Sequence, residues 1–164
     1  MNHRHKVLTG VVAAVGLALV IGLFTAGEQV SLAAGSIIYV DADATGANDG
    51  SSWADAFLDL QPALDATVSG DQIWVAEGTY KPTYEFTPGN PRSVSFQMKN
   101  GVEIYGGFAG TETNLTDRDW VTNPTILSCD LTGDDGADFT NTAENCYHVF
   151  YHPVGTNLNS SAIL

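Results

Sequence analysis

The chain has 164 residues, with six Lys+Arg against 19 Asp+Glu and a formal net charge of −13. Charged residues are only 15% of the chain while glycine contributes 17, which excludes a coiled coil rich in Ala, Glu, Lys, Leu and Arg. No basic patch is present to meet phosphates, so nucleic acid is excluded as a partner, and the length allows one domain or part of a larger one.

Residues 1–34 read as an export segment. Asn2 to Lys6 is a short polar, basic start, Val7 to Gly27 carries no charge, and Ser31-Leu32-Ala33-Ala34 offers small residues for cleavage. That order is the one a secretory signal peptide follows. The apolar run also reaches the roughly 20 residues of a spanning helix, so a retained N-terminal anchor is the competing reading. Either way residues 35–164 cross a membrane, which places them as secreted or at the cell surface. Without Arg4, Lys6 and Glu28 they hold four basic and 18 acidic side chains, a net of −14. That sign disfavours membrane insertion or surface binding by the mature part.

The mature elements follow in order. Ser36 to Val40 is a β-branched and aromatic strand, and Asp41 to Ser52 is a loop dense in Asp, Gly and Asn. Trp53, Phe57, Leu60, Leu64 and Val68 recur at helical spacing. Pro62 is harmless only in a first turn, so one short α-helix is expected near 60–68 with Asp59 as its N-cap. Short strands are expected at Ile73–Ala76, Ser93–Met98, Val102–Tyr105, Thr125–Ser128, Tyr147–Tyr151 and Ala162–Leu164. From Val102 to Thr125 and from Thr125 to Tyr147 the interval is 23 and then 22 residues. Strands recurring at such intervals between Gly/Asn/Asp turns predict an all-β solenoid, a right-handed parallel β-helix with one capping helix. A β-sandwich, with strands every 8–12 residues, is the alternative.

Tyr39-Val40-Asp41, Gly50-Ser51-Ser52-Trp53, Asp71 to Tyr80, Gly101 to Phe108 and Arg118-Asp119-Trp120 carry a resemblance. The stretch 37–164 resembles the N-terminal region of secreted bacterial β-helix surface proteins of the pectin-lyase-like superfamily, akin to polymorphic outer-membrane proteins. The resemblance implies a helix capping the first coils of a β-helix. It implies no single activity, because the superfamily mixes lyases, hydrolases, adhesins and stalks.

Asp130, Asp134, Asp135 and Asp138 form an acidic cluster between flexible glycines, a candidate for Ca²⁺ or for a solvated loop. No other cofactor is expected. Asp41 to Ser52 begins like a calcium loop but ends on Ser52 where a bidentate Glu is required, so it reads as a turn. His148 and His152, four apart in an expected strand, lie about 13 Å apart and share no ion. Gly106-Gly107-Phe108-Ala109-Gly110 lacks the Lys-Ser/Thr of a phosphate cradle and reads as a corner. Trp53, Trp74, Tyr80, Phe96, Tyr105, Phe108 and Trp120 read as core packing before a carbohydrate platform.

Catalytic residues are not apparent, and the chain reads as a non-catalytic part of an exported surface protein with a structural, adhesive or glycan-binding role. The alternative is the start of a secreted polysaccharide lyase or glycoside hydrolase. Expected partners are extracellular polysaccharide or cell-surface glycan, and a C-terminal continuation in a longer parent chain. Cys129 and Cys146, 17 apart in an exported chain, are expected to pair if stacked coils approach each other. The resemblance adds that relatives tend to carry Gly and a small polar residue at these two positions.

Overall fold

Alternating apolar residues of three short segments build the centre of the protein, described here from a computed structural model covering residues 35–164. The export signal or anchor expected at residues 1–34 lies outside the described residues. Ile37–Val40 (β1), Gln72–Ala76 (β2) and Glu103–Phe108 (β4) form a parallel sheet in the order β1-β2-β4. Gly78–Tyr80 (β3) and Thr125–Leu127 (β5) form a second parallel pair. The single α-helix among the described residues, Leu60–Ala66 (α1), packs on β1 and β2.

The first sheet is in register by side-chain type. Ile38, Ile73 and Ile104 align in one row, and Tyr39, Trp74 and Tyr105 in the next. Because a strand alternates faces with period two, one face becomes aliphatic and the other aromatic. Ile73, Val75 and Val40 meet Leu60, Ala63 and Leu64 of α1 in the main core, with Tyr80, Phe96 and Val102 around them. On the other face Tyr39, Trp53, Trp74 and Phe108 pack ring against ring, Trp74 and Phe108 with centroids 4.7 Å apart and planes 9° from parallel. A sheet covered on both faces is the usual condition of parallel strands.

The helix starts where Pro62 requires. Asp59 is its N-cap residue, but its side chain makes no capping hydrogen bond, and the helix stops at Thr67, whose Oγ1 donates to the Leu64 carbonyl at 2.8 Å. Asp71, a buried carboxylate, accepts from the amides of Ser36 and Val68, each at 2.8 Å, and so ties the turn after α1 to the entry of β1. Gly35 abuts Gly70 there: a Cβ at position 35 would lie 1.5 Å from the Gly70 carbonyl oxygen, so only glycine lets the two backbones meet.

The all-β solenoid expected from strand spacing is not what forms. The described residues hold five short strands in two small parallel sheets with one helix, and no β-helix. The 23-residue interval links strands that are not partners: β4 pairs with β2, and β5 with β3. Paired strands are instead offset unevenly, by 35 residues at Ile37↔Gln72, 31 at Gln72↔Glu103 and 47 at Gly78↔Thr125. Without a constant offset no uniform coil repeats. Three expected strands shrink to single bridges, Val94 to Glu85, Phe96 to Phe150 and Ile163 to Glu103. Among the described residues no helix is long and apolar enough to cross a membrane.

Candidate functional site

A bulge in β4 borders a surface cleft. Two steps along β2, from Trp74 to Ala76, oppose three along β4, from Tyr105 to Phe108, so one extra residue falls at Gly106-Gly107. Gly107 has φ +93°, and a Cβ there would come within 3.0 Å of the Trp120 backbone, so glycine allows the 118–124 segment to lie against the strand. The Gly107 amide donates to Thr125 Oγ1 at 3.0 Å, and its carbonyl accepts from the Asp119 amide at 2.7 Å. The cleft, about 420 Å³, is lined by Gly106, Gly107, Arg118, Trp120, Pro124 and Thr125. Gly106 and Gly107, read from sequence as part of a corner, are therefore strand residues that line the cleft.

Trp120 stands on a turn built by Asp119. The Asp119 carboxylate accepts from the amides of Val121 and Thr122 at 3.0 and 3.1 Å and from Thr122 Oγ1 at 2.9 Å. The Thr122 amide, the Thr122 hydroxyl and the Val121 amide hold the Asp119 carboxyl below its ordinary range. A depressed folded pKa gives stability that is present above the unfolded value of about 3.9 and lost as pH falls through the folded one. Iodide quenching of tryptophan emission, dominated by the exposed Trp120, is thus expected to be flat from pH 7 to about 5 and to change below about 4. A change centred near pH 6 would contradict this origin of the turn.

Trp120 is 66% exposed, unlike Trp74, Tyr80, Phe96 and Phe108, which are buried as the core reading expected. Arg118 lies between two rings, its guanidinium carbon 4.9 Å from the Tyr105 centroid and 5.6 Å from that of Trp120. Lys99 and Arg92 spend hydrogen bonds on the carbonyls of Asp65, Thr67 and Asn145. Among the described residues no acceptor takes a hydrogen bond from the Arg118 guanidinium. Burial, then the Glu103 carboxylate that accepts from its hydroxyl at 3.0 Å, raises the Tyr105 phenol above its ordinary value. Sequence reasoning placed Trp120 in the core. The signal available was its setting: Asp119 before it and Thr122-Asn123-Pro124 after it make a turn.

The acidic loop is closed by the Cys129–Cys146 disulfide, Cα atoms 4.8 Å apart, with the Cys146 amide donating to the Cys129 carbonyl at 2.9 Å. The disulfide forms even though the solenoid from which its approach was argued does not. Of the four expected carboxylates, Asp130 and Asp134 converge, and the third member is Glu144, with ligand oxygens within 4.8 Å of one another. Asp135 instead accepts from Asn145 Nδ2 at 2.9 Å, and Asp138 is not in the group. Desolvation acts to raise the Asp130 carboxyl, but the amides of Asp135, Gly133 and Asp134 and the charge of Lys81 outweigh it and hold it below its usual range. Glu144 Oε1 and Asn145 Oδ1 are buried atoms without a donor. Asp130, Asp134 and Glu144 are the residues that could hold a divalent cation, being hard oxygen donors close enough to share one. The charge of Glu144 was visible in the sequence, but only the disulfide crossing brings it to Asp130. His148 stacks on Tyr151 and His152 is lowered by burial, and neither belongs to this group.

Comparison with protein-family models, with curated proteins and with solved structures gave no match.

Proposed function

We propose that residues 35–164 act outside the cytoplasm as a non-catalytic surface module with an adhesive role, and that the Arg118–Trp120 cleft holds a glycan. The observation that carries this is Trp120, two-thirds exposed on the hydrogen-bonded Asp119 turn beside a guanidinium that no acceptor among the described residues engages. A flat, preorganised aromatic ring offers a large contact area at little entropic cost, and a polar group beside it orients what stacks there. The disulfide and the acidic surface support an oxidising, extracellular setting.

The test is retention on a set of insoluble polysaccharides. Wild-type protein is expected to be retained on at least one, and Trp120→Ala to lose most of that retention while keeping its thermal midpoint. Equal retention of both proteins would overturn the site. Release of reducing ends or of unsaturated products from any polysaccharide would overturn the non-catalytic reading.

A further inference from the structure

A second cleft, about 480 Å³ in volume, is lined by Val75 of β2, Ile104 of β4, Leu127 of β5, Val149, Phe150 and Leu164. Val75 and Ile104 belong to the buried core, and Leu127, Val149 and Phe150 pack against that core while only half-buried. Leu164 is exposed. Apolar side chains therefore meet here without closing over one another. Protein interiors leave few voids larger than a water molecule, because lining atoms without partners lose dispersion contacts. A cleft of this volume falls within the roughly 300–1,000 Å³ of small-molecule pockets, which are mostly apolar with a few polar groups that orient the ligand.

One such group is present. Arg118 is the only charged residue among the described residues that line the cleft. Its guanidinium is held near the rings of Tyr105 and Trp120, and no acceptor among the described residues engages it. Thr125, which also lines the cleft, has its Oγ1 engaged with the Gly107 amide and with the carbonyls of Val75 and Ala76. An apolar wall with a single unpaired cation complements a hydrocarbon that ends in an anion.

We propose that this cleft binds an aliphatic carboxylate, with the hydrocarbon chain against Val75, Ile104, Leu127 and Phe150 and the carboxylate on Arg118. The chain drives binding, because apolar surface of ligand and protein is removed from water together. The carboxylate fixes the orientation, because it meets a guanidinium through two parallel hydrogen bonds. Salt screens charges beyond about 8 Å, so the acidic surface as a whole slows an approaching anion without cancelling a direct guanidinium contact. The proposal does not rest on the glycan reading: Trp120 is not among the residues lining this cleft.

The experiment is a calorimetric titration of the full chain at neutral pH and physiological salt. The probes are hexanoate, octanoate and decanoate, each below its micelle concentration, and octanol. One decanoate is expected to bind per chain, with affinity rising about tenfold for each two methylenes added. Octanol is expected to bind about tenfold more weakly than octanoate, and Arg118→Gln to weaken decanoate by a similar factor. Val149→Phe, which fills the cleft, is expected to weaken decanoate at least as much, and circular dichroism with the thermal midpoint checks that both variants are folded. No saturable binding of decanoate would overturn the proposal, as would an affinity independent of chain length. Octanol binding as tightly as octanoate, or wild-type affinity in folded Arg118→Gln, would overturn the carboxylate class. Wild-type affinity in folded Val149→Phe would place the ligand elsewhere on the chain and overturn the site. The chain-length series and the octanol comparison use wild-type protein, so they decide the matter even where a variant fails to fold.

Discussion

Reduction of the Cys129–Cys146 bond is expected to lower the stability of the folded protein by about 3 kcal/mol, the loop-closure entropy of a crosslink spanning 17 residues. For a domain of this size that corresponds to a fall of about 10 °C in Tm. The loop it closes has little else to hold it. Residues 132–141 are all exposed and contribute no core side chain, and Asp138, Phe139 and Asn141 have positive φ. The Asp130 carboxylate gathers the amides of Gly133, Asp134 and Asp135, but these bonds are solvent-accessible and local. Cys146, buried, also sets the start of the segment in which Phe150 bridges to Phe96 in the core. Thermal unfolding with and without reductant, repeated on the Cys129→Ser/Cys146→Ser double variant, measures the effect. Identical midpoints in all four measurements would show that the crosslink does not stabilise the fold.

Phe108→Ala is expected to cost about 3–5 kcal/mol, the range for removing a fully buried aromatic side chain. Phe108 has no exposed surface and stacks on Trp74, with Trp53 tilted against it at 5.5 Å. Its backbone carbonyl accepts from the Glu77 amide at 2.7 Å, and it sits at the far end of the bulge that borders the cleft. Neighbouring rings cannot close the void, because Trp74 is held in its row by the sheet register and by its Nε1 donation to Gln72 Oε1 at 3.1 Å. Phe108→Leu keeps much of the volume and is expected to lose less than half as much. Urea denaturation at neutral pH gives both values. A loss below about 1 kcal/mol for Phe108→Ala would mean that the aromatic face relaxes freely, against the close packing that protein interiors show.

Local features were legible where one segment decides its own conformation. Alternating β-branched and aromatic residues marked Ile37–Val40, Gln72–Ala76 and the first half of Glu103–Phe108. Pro62 placed the start of α1 at Leu60, since an imide nitrogen is tolerated only where no hydrogen bond is required of it. The two cysteines of a chain read as exported pointed to a disulfide, although the stacked coils expected to bring them together do not form. Most aromatic residues of the strand and cap segments were read as core, and Trp74, Tyr80, Phe96 and Phe108 are.

Pairing was decided by the tertiary structure alone. An interval of 23 residues between two strands says that each can form, not that they lie side by side; β4 chose β2 because its Ile104 and Tyr105 complete rows begun by Ile73 and Trp74. The extra residue at Gly106-Gly107 became a bulge only once both ends of β4 were pinned to β2. That bulge brought the Asp119 turn against the strand and left Trp120 outside the core. Glu144 reached Asp130 and Asp134 through the disulfide crossing, across a loop whose own sequence favours no single path. Backbone preference and hydrophobic pattern act over a few residues and are written in the chain locally, whereas partner choice depends on which distant surfaces bury best together, and that exists only in the folded molecule.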